Sequence, residues 1–130
     1  MEAVTPRTGL LSVVLPAYNE EESVPLTART IGGLLAEADI PYELLFVNDG
    51  SRDHTWAVIS DLHRQCPLFS GADLSRNRGH QNALLAGLMT AKDRADMVIS
   101  MDADLQDDID AVDAMVDKYY EGCDVVYGVR

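Results

Sequence analysis

A chain of 130 residues, 47% hydrophobic and 25% charged, can build one domain with its own core and is too apolar for wholesale disorder. Its formal charge of −12 argues against nucleic acid as a partner and against unaided docking on an anionic membrane. Cys66 and Cys123 stand far apart outside any C-x-x-C and read as free thiols, no apolar run approaches the ~18 to 20 residues of a membrane span, and no signal peptide opens the chain, so a cytoplasmic polypeptide is expected.

The polar opening "MEAVTPRTG", residues 1–9, reads as a loose tail before one folded unit over 10–130. "LLSVVLP" (Leu10 to Pro16) is a strand stopped by proline. In the next segment Val24, Ala28, Ile31, Leu35 and Ala38 step by four and three, the period of a helix with one apolar face. Ser23 is its expected cap, and Pro25 falls in the tolerant first turn. "YELLFV" (Tyr42 to Val47) is a second strand ended by the turn signal "NDGS". A helix over about Asp53 to Gln65 follows, with Val58, Ile59 and Leu62 inward.

"LFSGADLS" (Leu68 to Ser75) is a weaker strand containing Gly71, and a helix over about Gly79 to Lys92 is apolar at Leu84, Leu88 and Ala91. "DMVISM" (Asp96 to Met101) is a fourth strand. A last helix over about Asp110 to Glu121 turns Val112, Met115, Val116 and Tyr119 inward, before "CDVVYGV" as a fifth strand. Strands and helices alternating at these lengths build βαβ units, hence an α/β fold with a mostly parallel sheet and helices on both faces. Ligands of such sheets bind at the carboxyl ends of the strands.

The uncommon residues gather there, in "PAYNEE", "VNDGSRD", "LSRNRGHQN" and "MDADLQDD". In the last, aspartates at 102, 104, 107 and 108 follow an apolar strand directly. Two carboxylates a few ångströms apart repel by about 1 to 4 kcal/mol, which a chain sustains on a solvated face or beside a compensating cation. Asp102 and Asp104 protrude from the strand end, and such hard oxygens suit Mg2+ or Mn2+ shared with phosphate oxygens. The Gln106 carbonyl can add one more oxygen. An EF-hand is excluded, because Asp107 and Asp113 stand where its glycine and glutamate belong. An aspartyl-phosphate phosphatase usually places D-x-D after its first strand, not its fourth. Asp110, Asp113 and Asp117 recur at helical spacing as a solvated face.

Asp49 can accept the imide N–H of a uracil or the N–H pair of a guanine, unless its Asp-Gly only reverses the chain. Ser51 and Asp53 read as caps of the next helix. Arg76, beside a helix N-terminus, can reach a phosphate, whereas His80 reads as a loop or packing residue. The backbone after Pro16 can floor a base, and Glu20 can bond a ribose or a loop. Glu21 and Glu22 are first-turn helix charges.

Together and in this order, "SVVLPAYNEEESVP", "YELLFVNDGSRDHT", "LSRNRGHQNALLAGL", "VISMDADLQDD" and "YYEGCDVVYGVR" resemble the family 2 glycosyltransferases, most closely the dolichyl- or polyprenyl-phosphate sugar transferases. The resemblance covers about residues 11 to 130 and implies a GT-A, Rossmann-like fold whose amino-terminal half binds a nucleotide sugar. It implies an inverting, metal-dependent transfer from a UDP- or GDP-sugar donor to a polyprenyl-phosphate acceptor. Carried over by position, Pro16, Tyr18 and Glu20 line the base and ribose region, and Asp49 reads the base. Asp104 and Gln106 are then the ligands of Mg2+ or Mn2+, with Asp102 near the ribose or the metal. Arg130, in the family's G-x-R, faces the donor.

Two positions depart from the family pattern: His80 stands where Lys is frequent, and Asp107 where Pro is frequent. The acceptor half, with the catalytic base and in many members membrane helices, is expected beyond Arg130. The chain therefore reads as a truncated donor-binding part, inactive alone, of a protein working at the cytoplasmic face of a membrane. A non-catalytic nucleotide-binding module or assembly subunit is the alternative. The apolar edge of the fifth strand leads to an expectation of homo-oligomers or aggregation.

Overall fold

The computed structural model describes residues 9–103 together with Met115, Val116 and Tyr120. The first strand, β1 (Leu11–Ala17), is buried along its whole length, which a strand reaches only when both faces of its sheet are covered. Helix α1 (Ser23–Glu37) follows, then β2 (Tyr42–Asn48), α2 (Thr55–Gln65), β3 (Phe69–Asp73), α3 (His80–Ala91) and β4 (Met97–Ser100). The four strands are parallel in the order β3-β2-β1-β4. Leu11 pairs in register with Tyr42 on one side and with Met97 on the other.

Alternate residues of β1 and β2 serve opposite faces, as the strand period demands. Leu11, Val13, Leu15, Leu44 and Phe46 pack with Val24, Ala28, Ile31 and Leu35 of α1 and with Ile59 and Leu62 of α2. Across the sheet, Val14, Leu45 and Val47 pack with Ala83 and Ala91 of α3. The expected α/β sheet with helices on both faces is thus the observed one.

Several local readings change. β1 does not stop at Pro16 but runs on to Ala17, which pairs with Asn48, and Glu21 and Glu22 precede α1 rather than lying in its first turn. Ser23 begins α1 rather than capping it: Glu22 precedes it in helical conformation without a side-chain bond, and the first amides, of Ser23 and Val24, donate to the Glu20 carbonyl at 3.1 and 2.9 Å. Val58 is half-buried rather than turned fully inward. The third strand is shorter than Leu68 to Ser75 at both ends. On α3, Leu84 and Leu88 only flank the interface, and the buried stripe is Ala83, Gly87 and Ala91. Small residues let the helix backbone come close to the sheet, so close that a Cβ on Gly87 would stand 2.3 Å from Val14 Cγ1.

The expected tail lies outside the described residues apart from Gly9, whose amide donates to the Tyr120 hydroxyl at 3.0 Å. The last helix and the fifth strand also lie outside them, save Met115, Val116 and Tyr120, of which Val116 is buried with the α1 side of the core. Cys66 is a free, half-buried thiol, and Cys123 lies outside the described residues. No helix among the described residues is long and apolar enough to cross a membrane.

Candidate functional site

From β1 the sheet proceeds to β2 and β3 on one side, while β4 lies on the other. Successive connections therefore diverge between β1 and β4, and an open parallel sheet offers its ligand crevice at the carboxyl ends of such a pair. A cavity of about 340 Å³ opens at this point. Pro16, Ala17, Tyr18 and Glu20 line it after β1, and Asp49 lines it after β2. Asn77, Gly79 and His80 come from the segment after β3, and Asp102 and Ala103 from the segment after β4.

Side chains clamp the first two loops together. Asn19 adopts a left-handed backbone (φ 53°), which asparagine tolerates better than most residues. Its amide donates to Ser51 Oγ at 3.0 Å, and its own Oδ1 accepts the Arg52 amide at 2.8 Å. The Glu20 amide donates to Thr55 Oγ1 at 2.9 Å, and Asp53 accepts the Thr55 amide at 2.9 Å and the Glu21 amide at 3.4 Å. Ser51 is thus a loop-to-loop acceptor rather than a helix cap, while Asp53 does hold the first turn of α2 and bridges loops as well. Burial pushes the Asp53 carboxyl up, but hydrogen bonds from the Thr55 hydroxyl and amide and from the Glu21 amide outweigh it and leave the group below its ordinary range.

Asp49 is only 4% exposed. Its amide donates to the Ala17 carbonyl at 2.9 Å, and its Oδ1 accepts the Arg78 amide at 2.7 Å. Gly50 beside it has φ +65°, and a Cβ there would lie 2.2 Å from the Asn77 nitrogen. The Asp-Gly pair therefore both turns the chain and seats the segment after β3. Asn48 Nδ2 adds a bond to Asp73 Oδ1 at 2.8 Å, fixing the ends of β2 and β3 side by side.

Pro16, Tyr18, Glu20, Asp49 and Asp102 are thereby brought to one cavity, as their positions at the strand ends imply. Arg76 is exposed and does not line it; its backbone packs against Gly50 instead. Asp104, Gln106 and Arg130 lie outside the described residues. His80, read as a loop or packing residue, lines the cavity with Nε2 3.7 Å from Asp102 Oδ1. Asn77 and Thr27 were not singled out by the sequence. Asn77 lines the cavity and accepts the Gly79 amide at 3.0 Å, and the buried Thr27 hydroxyl donates to the Ala103 carbonyl at 2.7 Å, tying α1 to the loop of Asp102. The only signal for Thr27 was a hydroxyl on the apolar face of α1.

Among the described residues, no three His, Cys, Asp or Glu side chains gather as a metal centre. The Asp102 carboxylate at the cavity is nonetheless a hard oxygen donor. That chemistry fits Mg2+, which is commonly held by one or two carboxylates plus substrate phosphates.

A parallel α/β sheet with a polar crevice at its switch point, lined by loops from four strands, is a GT-A, Rossmann-like fold. The chain belongs to glycosyl transferase family 2, whose model matches residues 12–130. It is 46% identical over 127 residues to the uncharacterized glycosyltransferase YkoT of Bacillus subtilis, covering 93% of this chain and 38% of that one. It is 37% identical over 120 residues to the bactoprenol glucosyl transferase of Shigella phage SfV, covering 92% and 38%. The chain thus spans less than half the length of the curated relatives it matches. Among solved structures, the mannosyltransferase PcManGT of Pyrobaculum calidifontis, in complex with GDP-Man and Mn2+, superposes with a TM-score of 0.63 at 24% identity, over 80% of this chain and 30% of that one. Residues 1–349 of S. aureus TarS, in complex with UDP, give 0.60 at 24% identity, over 85% and 32%.

Proposed function

We propose that residues 10–130 form the donor-binding part of an inverting glycosyltransferase that moves a sugar from a nucleoside diphosphate to a polyprenyl phosphate, with Mg2+ or Mn2+ as cofactor. One observation carries this reading: four separate loops bring Tyr18, Glu20, Asp49, His80 and Asp102 to a single cavity at the switch point of the sheet. Similarity to a bactoprenol glucosyl transferase supports a polyprenyl-phosphate acceptor, and the GDP-Man, Mn2+ and UDP complexes of the structural neighbours support the donor and the metal.

Pro16 and Tyr18 flank the base, Glu20 accepts from the ribose, and Asp49 accepts a base N–H at the floor. Asp102 faces the ribose and metal side, Asp104 and Gln106 hold the metal, and Arg76 and Arg130 meet the donor's negative charge. A bound divalent ion supplies charge neutralisation that makes the diphosphate a better leaving group. The chain's own part is to fix base, ribose and phosphates so that the sugar carbon stands open to the acceptor oxygen. Transfer to a polyprenyl phosphate puts the work at the cytoplasmic face of a membrane.

Calorimetric titration with UDP-glucose and GDP-mannose, each with Mn2+ and with chelator, tests the reading. One donor should bind only with metal, and Asp104→Ala should abolish that binding while leaving the circular dichroism spectrum unchanged. Equal binding by the variant, or binding indifferent to chelator, would refute the metal assignment.

A further inference from the structure

We propose that Thr27 is a positioning residue: from inside α1 its hydroxyl holds the loop of Asp102 and Asp104 in place for the metal and the donor diphosphate. The inference rests on the donor-site reading above. β4 ends at Ser100, and the Met101 amide still bonds β1, at 3.0 Å on the Val14 carbonyl. From there Met101 and Ala103 join the core with Val24, Ala28 and Ile31, while Asp102 between them lines the cavity. The Ala103 carbonyl accepts the Thr27 hydroxyl at 2.7 Å, and both residues are almost wholly buried. That carbonyl belongs to the planar peptide unit that leads into Asp104, so holding its oxygen holds the plane from which Asp104 departs.

Packing alone does not call for a threonine here. Thr27 is fully buried on the face of α1 that Val24, Ala28, Ile31 and Leu35 make apolar, where valine fills the same space with no hydroxyl to satisfy. Nor does its hydroxyl follow the local habit of helical threonines. Thr30 and Thr90 each donate to the carbonyl four residues back, Leu26 at 2.8 Å and Ala86 at 2.9 Å. Thr27 gives its one proton to a carbonyl 76 residues away. Without that donor the Ala103 carbonyl is left buried and unpaired, and it recovers a partner only by turning toward water. Such a turn carries Asp102, its covalent neighbour, out of its place at the cavity. Removing a group that orients metal-binding side chains typically weakens the metal by about 10–100-fold.

Two substitutions separate the hydroxyl from the packing. Thr27→Ser keeps the hydroxyl and loses a methyl, whereas Thr27→Val keeps the volume and loses the hydroxyl. Mn2+ is titrated into the whole chain with UDP and, separately, with GDP. Electron paramagnetic resonance reads the free Mn2+, and circular dichroism reads the fold and its thermal midpoint. The serine variant should hold Mn2+ as the wild type does, even though the missing methyl lowers its midpoint. The valine variant should be folded and bind Mn2+ about 10–100-fold more weakly.

A valine variant that matches the wild type overturns the positioning role and leaves the donor site standing. So does equal weakening in both variants, because affinity would then follow stability and not the hydroxyl. A folded wild type that binds no Mn2+ with either nucleotide overturns the donor-site reading and this role with it. Should the valine chain fail to fold, Thr27→Ala removes the same hydroxyl on a better helix former and is judged against the same serine control.

Discussion

Thr55 and Asp53 show how much of the site hangs on two short side chains. The fully buried Thr55 hydroxyl accepts the Glu20 amide at 2.9 Å while also bonding Asp53, and Asp53 in turn accepts from Glu21. Thr55→Val keeps the shape but removes the acceptor for an amide 35 residues away, so it should destabilise the chain by about 1–3 kcal/mol in denaturant unfolding. Stability unchanged by the valine would mean that the loops hold without this clamp. The lowered Asp53 pKa fixes a sign: its contribution is complete above the ordinary carboxylate range and disappears as pH falls through the folded-state value. Asp53→Asn should therefore weaken the fold at neutral pH and flatten the acid limb of the unfolding profile, and an unaltered limb would assign that limb to other carboxylates. The sequence makes half of this visible. The bond from Asp53 to the Thr55 amide is local and readable as a capping pattern, but the partners at Glu20 and Glu21 belong to another loop. His80 escaped for the same reason: Asp102 is its neighbour only across the crevice.

The elements from β1 to β4 were legible, because burial on both faces gives β1 and β2 nearly unbroken apolar text and the helices carry a clear period. What periodicity does not convey is distance. It points to the largest apolar side chains of α3, Leu84 and Leu88, whereas the contact with the sheet is made by what is missing at Ala83, Gly87 and Ala91. This closeness yields a prediction opposed to helix propensity. Gly87→Ala gains up to about 1 kcal/mol of intrinsic helix preference. Its Cβ, however, would meet Val14 Cγ1 at 2.3 Å and Val47 Cγ2 at 2.9 Å, both on β-branched side chains with little rotamer freedom. Overpacking of this kind costs about 1–3 kcal/mol, so the alanine should lower the midpoint of thermal unfolding, and Val14→Ala in the same chain should restore part of the loss. A higher midpoint in the single variant would show that α3 can back away from the sheet freely.

For the molecule as a whole, the charge of −12 is the property most visible in the sequence and least visible in any single contact. Among the described residues the ion pairs are few and mostly exposed, such as Arg64 with Asp61 at 3.1 Å, and exposed pairs contribute little. The better-shielded pair, Arg94 with Glu43 at 2.7 Å, leaves Glu43 Oε1 buried without a partner. Unbalanced negative charge should therefore repel itself across the compact state. Salt shortens the reach of that repulsion, from a Debye length of ~30 Å at 0.01 M to ~3 Å at 1 M. At pH 7 added NaCl should then raise the unfolding midpoint, and the gain should shrink as pH falls and carboxylates are protonated. Acidification acts here in two opposite senses, since it relieves global repulsion and also discharges Asp53. The two separate by ionic strength: in high salt the repulsion is already screened, so the acid limb that remains belongs to specifically bonded carboxylates and should be the part that Asp53→Asn reduces. A midpoint at pH 7 that ignores salt would show instead that the negative charge is spread too thinly, or paired too well, to oppose folding.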